Sequence, residues 1–196
     1  MAGAARRPAV SARRAMLISV DGVSGTAVVA AAHVALAGVA RSRRGGVSIW
    51  DASGLFQDLV VAGDEAGIPS ARTLLLLYAA DLAFRLRWEI RPALEEGRVV
   101  VAAPYIDSAI AVGRAAGLRS GWLANLFLFA PRPAESQYVD QLPARSAAPD
   151  AGLLEFVLDR MAYMPPALSR EQLVERTRIR LGMLARRAGR TRRVAV

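Results

Sequence analysis

A glycine-rich turn directly after the first apolar run is the stretch of this sequence whose residue types and spacing could bind phosphate. The apolar run at residues 15–20 leads into Asp21-Gly22, and Gly25-Thr26 opens an Ala- and Val-rich segment. In a strand–turn–helix arrangement of this kind, backbone N–H groups and the helix N-terminus bind anions. The sequence therefore predicts a phosphate-binding loop between a first strand and a first helix.

The side chains that act on nucleotides in such loops are missing. A working loop reads Gly-x-x-x-x-Gly-Lys-Ser/Thr, in which the lysine contacts the β- and γ-phosphates and the hydroxyl binds Mg²⁺. Counted from Gly22, the last three positions hold Ala27, Val28 and Val29, and the chain contains no lysine. No metal site and no cofactor are therefore expected.

Other groups that could do chemistry are few. The absence of cysteine excludes disulfides and thiolate nucleophiles, and a single histidine, His33, excludes paired-histidine zinc sites. His33 lies in the predicted first helix and is interpreted as an ordinary helix residue. The carboxylates of Asp21, Asp81 and Asp107 leave open an enzyme with relocated chemistry, since carboxylates gathered in a cleft could bind a divalent metal.

The net charge of +9 is concentrated at the two ends of the chain. Residues 1–16 carry +4 and residues 169–196 carry +7, which leaves −2 for the middle. Residues 1–14 are predicted to be a disordered, Arg-rich bacterial tail, with a transit peptide as the alternative. Both ends could make weak, salt-sensitive contacts with polyanions.

No apolar run reaches the roughly 18 residues of a membrane helix, so a soluble, cytoplasmic protein without membrane contact is expected.

Strand and helix patterns alternate along the rest of the chain. An unbroken apolar run at residues 99–103 is typical of an interior parallel strand. Strands alternating with helices predict a three-layer α/β fold, with a five-stranded parallel sheet and helices on both faces. Residues 15–196 are predicted to form one such domain, and the predicted strands are at residues 15–21, 47–50, 98–103, 137–140 and 191–196.

Two predicted helices bear on association. The first is short, at residues 55–62, and the second runs from an N-cap at Ser70 to about residue 96, with Pro92 expected to bend its end. The long helix is apolar over more than one stripe. It is therefore predicted to be buried on two sides.

Three stretches, in this order, resemble the thymidylate kinases, a family of P-loop nucleoside-monophosphate kinases. Residues 18–25 resemble the family's opening strand and loop. Leu-Tyr-Ala-Ala-Asp at 77–81 and Ile-Arg-Pro-Ala-Leu-Glu-Glu-Gly at 90–97 resemble its acceptor-site helix. Residues 99–108 resemble the strand and turn in which the family carries Asp-Arg-Tyr and then Asp-Ser. The resemblance covers roughly residues 15–118 and implies the P-loop fold.

The resemblance also implies which residues of a nucleotide site are kept and which are lost. Residues implied as vestigial nucleotide-binding positions are Asp21, Gly22, Gly25, Thr26, Asp81 and Tyr105. The Asp and Arg of Asp-Arg-Tyr align with Ala103 and Pro104, and the arginine expected after Asp81 aligns with Leu82. The pair that reads thymine aligns with Val112-Gly113.

Losing several electrostatic groups, each worth about 10²–10³ in rate, predicts an inactive protein. The leading interpretation is therefore a thymidylate-kinase-like pseudoenzyme, not an enzyme, acting as a protein-binding, regulatory or structural subunit. The alternative is a divergent nucleotide-binding protein or a weak nucleoside-monophosphate kinase.

Association is the last property that the resemblance implies. Thymidylate kinases are typically homodimers that pair through helices beside the acceptor site. A homodimer, or a heterodimer with a related intact subunit, is therefore predicted. The residues predicted at its interface are Phe56, Leu59, Leu74, Leu77 and Tyr78.

Overall fold

A parallel sheet forms the centre of the molecule. The computed structural model describes residues 15–62, 69–144, 148, 151–159, 168–188 and 191–194. Its strands are β1 (Met16–Gly22), β2 (Arg44–Ile49), β3 (Val99–Ala103), β4 (Glu135–Val139) and β5 (Thr191–Val194). They lie in the order β2-β3-β1-β4-β5, and each neighbouring pair is parallel. The α/β fold with a parallel sheet is thus confirmed.

Helices cover both faces of the sheet. The helices are α1 (Gly25–Ala37), α2 (Leu55–Ala62), α3 (Ala71–Arg85), α4 (Arg91–Glu95), α5 (Ile106–Ala115), α6 (Ser120–Leu126), α7 (Leu153–Asp159) and α8 (Arg170–Ala188). On one face, α1 packs against alternate residues of β1 and β3, such as Val20 and Val101. On the other face, Val100 and Ala102 join a larger core with α3, α5, α7 and α8. All of β3 is buried, as its apolar run predicts.

The long predicted helix is present but interrupted. Ser70 caps α3 by accepting a hydrogen bond from the Thr73 N–H at 3.1 Å, as predicted. A π-helical segment, Leu86–Ile90, then separates α3 from α4. Pro92 lies two residues after the end of this segment and lacks the N–H that a regular helix would use. The bend expected at Pro92 therefore takes the form of a π-helical segment on its N-terminal side.

Burial within the chain corrects the argument for the predicted interface. Phe56, Leu74 and Tyr78 are each at most 1% exposed, because they lie in the chain's own core. Leu59 and Leu77 are half-buried against the same core. Their apolar side chains pack within the chain, for example α3 against α5 and Phe56 against Phe156 of α7, and sequence periodicity did not reveal these neighbours. Phe56, Leu74 and Tyr78 are therefore not accessible to a partner, whereas Leu59 and Leu77 keep part of their surface exposed and the dimer stays a prediction.

Several predictions about the ends lie outside the described residues. These include the tail at residues 1–14, part of the Pro/Ala/Ser loop before α7 and the last two residues, so the tail and its contact with polyanions stay predictions. In the part of the chain that the structure describes, no helix combines the length and apolarity needed to cross a bilayer.

Candidate functional site

The predicted phosphate loop joins β1 to α1 at the carboxyl edge of the sheet. β1 lies between β3 and β4, and ligands of open α/β sheets bind at such an edge, where the strand order switches direction. Ser24 is the N-cap of α1, and its Oγ accepts a long hydrogen bond, 3.5 Å, from Ala27 N–H. The N–H of Gly25 points out of the helix start and is thus placed to bind an anion.

A carboxylate from the same chain occupies this position. The Gly25 N–H donates to Glu155 Oε1 at 2.8 Å, across 130 residues of sequence. Glu155 lies in α7 and is 2% exposed. Burial raises the pKa of Glu155, while the hydrogen bond from Gly25 and the charge of Arg170 lower it. The loop therefore shows anion-binding geometry with an internal anion bound.

The backbone before α7 closes the remaining space. A Cβ built on Gly25 would lie 2.0 Å from the carbonyl oxygen of Ala151, so this backbone lies directly on the loop. The cavity left beside the loop measures about 10 Å³, and Val28, Pro104 and Leu154 are among its lining residues. This is about the volume needed to hold one water molecule. A phosphate group does not fit while residues 151–155 hold this position.

Asp21 ties the loop to the start of α5. Its Oδ1 accepts hydrogen bonds from the N–H groups of Tyr105, at 3.0 Å, and Ser108, at 2.9 Å. The Ser108 hydroxyl in turn bonds the backbone N–H and carbonyl of Gly22. Burial, with a smaller contribution from the charge of Asp107, raises the pKa of Asp21 to about 7. Asp21, Gly22, Gly25 and Tyr105 thus lie at the same edge of the sheet.

Two other predicted positions are less central. Thr26 is exposed beside the loop, and its hydroxyl lies 3.2 Å from that of Ser24. Asp81 is fully buried and accepts hydrogen bonds from Asp51 N–H and from the N–H and hydroxyl of Ser53, all within 3.0 Å. Asp81 therefore holds the turn after β2.

Arg85 was not singled out from the sequence. It is fully buried one helical turn after Asp81, with 3.9 Å between the nearest charged atoms. Its guanidinium donates to the carbonyl and hydroxyl of Ser48 and to the carbonyl of Pro104, at 2.7–3.1 Å. Arg85 thereby joins α3 to the carboxyl ends of β2 and β3. The Asp81–Arg85 spacing on a helix predicted to be buried was the available signal.

Glu155 and Arg170 were also missed. Glu155 is the single carboxylate within the apolar run 153–158, and such a position favours a buried charge with a specific partner. Arg170 begins α8 in a capping box, in which Ser169 Oγ accepts from Gln172 N–H and Gln172 Oε1 accepts from Ser169 N–H. This local order fixes the helix start from which Arg170 acts on Glu155. Among the described residues, no cluster of three or more metal-ligating side chains is found.

The architecture matches a solved enzyme. The crystal structure of thymidylate kinase from Ehrlichia chaffeensis superimposes with a TM-score of 0.63 over 92% of this chain and 87% of that one, at 16% sequence identity. The chain has the thymidylate kinase fold. No protein-family model matches it.

Curated relatives are similar over a shorter stretch. The chain is 47% identical to the "probable thymidylate kinase" of Pyrococcus abyssi over 58 residues, which are 30% of this chain and 28% of that protein. It is 39% identical to the "probable thymidylate kinase" of Thermococcus gammatolerans over 84 residues, 40% of each chain. The matched segments thus span well under half of these relatives. Both are archaeal proteins and lend no support to a bacterial source.

These similarities correct the expectation that the chain is not an enzyme. Both curated relatives are named as thymidylate kinases, and so is the solved structure with the same fold. The expectation was wrong because it inferred inactivity from missing side chains alone. A missing lysine and a missing hydroxyl do not by themselves show that the chain is inactive.

Proposed function

We propose that this chain binds nucleotide phosphates at residues 22–26 and acts as a slow nucleoside-monophosphate kinase. The observation that carries the proposal is the Gly25 N–H, which already holds a carboxylate oxygen at the start of a 13-residue helix. Backbone donors and a helix N-terminus bind phosphate by the same interaction. The names of the relatives suggest thymidylate as the acceptor to test.

Arginine must supply the positive charge in a chain without lysine. Phosphoryl transfer depends on cations that neutralise the charge developing on the phosphate oxygens. Arg170 is our candidate, because it begins α8 and its charge lowers the pKa of Glu155, the carboxylate that is bound at the loop. A guanidinium can bind two phosphate oxygens at once. Arg170 would thus contact the phosphate group that replaces the carboxylate of Glu155.

The loop does not fit a protein-bound magnesium ion. Val29 stands at the position of the magnesium-binding hydroxyl, and it is half-buried. The nearby hydroxyls of Ser24 and Thr26 face each other at 3.2 Å. In this proposal magnesium enters only with the nucleotide, as part of the substrate, and no step uses a metal held by the loop.

The purified chain, supplied with magnesium-ATP and thymidylate, is expected to form ADP and thymidine diphosphate slowly. Removing one preorganised electrostatic group from an enzyme typically costs about 10²–10³ in rate. We therefore expect kcat to lie about that factor below the roughly 1–100 s⁻¹ that is typical of kinases. Arg170→Gln should reduce product formation about a further 100-fold. Both products are measured directly by chromatography.

Arg176→Gln is the matched control, because Arg176 is exposed on the same helix. Its activity should equal that of the wild type. Equal rates in the wild type and Arg170→Gln would identify a contaminant or a different cation. The absence of both products, together with no detectable nucleotide binding, would refute the proposal.

Association is proposed through an exposed stripe (Leu76, Phe84 and Trp88) that the sequence did not single out. These side chains are 49%, 40% and 61% exposed, and they follow one another along α3 and the π-helical segment. Large apolar side chains grouped at the surface mark interaction sites. The stripe lies on the helix that resembles the acceptor-site element, so we propose that it pairs with a second copy of this chain.

Trp88→Glu is expected to convert a dimer into a monomer, because the charge would be placed against apolar side chains of the second copy. Sedimentation velocity over a range of concentrations measures this directly. Val34→Glu is the control, since Val34 is 65% exposed on α1 at the opposite face of the sheet. A wild type that sediments as a monomer at high concentration would contradict the proposal.

A further inference from the structure

The segment that covers the phosphate loop contacts it with backbone as well as side chain. We call residues 151–159 the occluding segment. A side chain at position 25 would collide with the backbone of Ala151. A Cβ atom at position 152 would lie 2.6 Å from Gly25 Cα. Two glycines, one on each side, therefore permit backbone to approach backbone. Such close approach is one of the uses of glycine in proteins.

Only one of the two carboxylate oxygens of Glu155 has a hydrogen-bond partner in this contact among the described residues. Glu155 Oε1 accepts from Gly25 N–H, whereas Glu155 Oε2 is buried and has no hydrogen-bond partner among the described residues. Leaving a buried polar atom without a partner destabilises the contact. The Glu155 carboxylate is thus bound to the loop by one oxygen, while the other would gain hydrogen bonds on leaving it.

We propose that the occluding segment is autoinhibitory: Glu155 occupies the phosphate loop as an internal anion, and the segment must move away before a polyphosphate binds. This inference rests on the proposed function, since it concerns the same loop. It adds a closed state, which the structure shows, and an open state, in which the Gly25 N–H and Arg170 face an external phosphate.

Apolar contacts hold the closed state in place. All five apolar residues of α7, namely Leu153, Leu154, Phe156, Val157 and Leu158, are at most 5% exposed. Phe156 packs edge-on against Phe56, with 5.0 Å between ring centroids. A site open in about 1% of molecules has an apparent affinity about 100-fold weaker than its intrinsic one. Wild-type protein should therefore bind polyphosphate weakly.

A single change in the occluding segment can open the loop without altering any loop residue. In Gly152→Ala the new methyl group would lie 2.6 Å from Gly25 Cα and 2.7 Å from Glu155 Oε2, so the segment must move outward. Gly121→Ala is the matched control, since nothing lies within 4 Å of its added methyl group. Glu155→Ala is a second opening variant, which removes only the internal anion.

The test measures tripolyphosphate binding to the full chain by calorimetry, with hydrogen exchange of residues 151–159 recorded in parallel. We expect Gly152→Ala to bind at least about tenfold more tightly than wild type, Glu155→Ala to bind more tightly as well, and Gly121→Ala to match wild type. Exchange in the occluding segment should be faster in Gly152→Ala. It should also become faster in wild type when tripolyphosphate binds.

The two possible failures are distinguishable. Equal affinity in the wild type and both opening variants overturns autoinhibition and leaves the phosphate-binding proposal intact. No binding by any protein, although exchange shows the segment displaced, overturns phosphate binding at the loop and the autoinhibition with it. Should Gly152→Ala fail to fold, Glu155→Ala decides by the same comparison.

Discussion

Val100→Asp is expected to unfold this protein at neutral pH or to lower its melting temperature by about 10 °C or more. Val100 is 2% exposed in β3, where it pairs with Leu17 of β1 and Gly46 of β2. A carboxylate there has strands on both sides and lies among buried apolar side chains. Burying an unpaired charge typically costs more than about 4 kcal/mol, against a total stability of about 5–15 kcal/mol.

Thermal unfolding followed by circular dichroism measures the effect, and pH provides an internal check. Burial raises the pKa of a carboxyl group, so the penalty should be small below about pH 4 and grow as the pH rises. Val34→Asp is the control, because Val34 is 65% exposed. A Val100→Asp variant that melts within a few degrees of wild type at pH 7 would show that this strand is not interior.

Local patterns were sufficient to predict the elements that form the sheet. The run of β-branched residues in β3 and the glycine-rich turn after β1 each carry their signal within a few neighbouring residues. The observed Val99–Ala103 and Leu55–Ala62 lie where the patterns placed them. β2 begins at Arg44, earlier than predicted, because Gly45 and Gly46 extend it and residues with polar or small side chains give no strand pattern.

Contacts between distant parts of the chain could not be predicted in the same way. Glu155 reaches Gly25 across 130 residues, and no periodicity in either segment indicates the other. The burial of Leu74 and Tyr78 is the second example. Their helix is apolar on several faces, and the sequence alone does not say whether α5 or a partner covers a given face. For the first contact, the nearest sequence signal was the lone carboxylate of Glu155 in an apolar run.

Arg85 is expected to be the most important polar residue for stability. Its guanidinium donates four hydrogen bonds to acceptors on two strand ends, Ser48 in β2 and Pro104 after β3, and Asp81 lies nearby. Arg85→Met should reduce the free energy of unfolding by about 3–5 kcal/mol, because it leaves the buried carboxylate of Asp81 without its cation and the carbonyl of Ser48 without its donor. Urea unfolding monitored by tryptophan fluorescence gives this value.

Two further variants separate charge from geometry at this position. Arg85→Lys keeps the charge, but an ammonium group cannot span the acceptors of Ser48 and Pro104 as a planar guanidinium does, so it should recover only part of the loss. Arg87→Met changes an exposed arginine two residues away and should change the free energy of unfolding by no more than about 0.5 kcal/mol.

The loss of Arg85 should also loosen the phosphate loop. Arg85 binds the carbonyl of Pro104, and the N–H of the same peptide group, that of Tyr105, donates to Asp21. Faster hydrogen exchange at residues 21–25 in Arg85→Met, but not in Arg87→Met, is the expected result, and an Arg85→Met variant as stable as Arg87→Met would contradict this role.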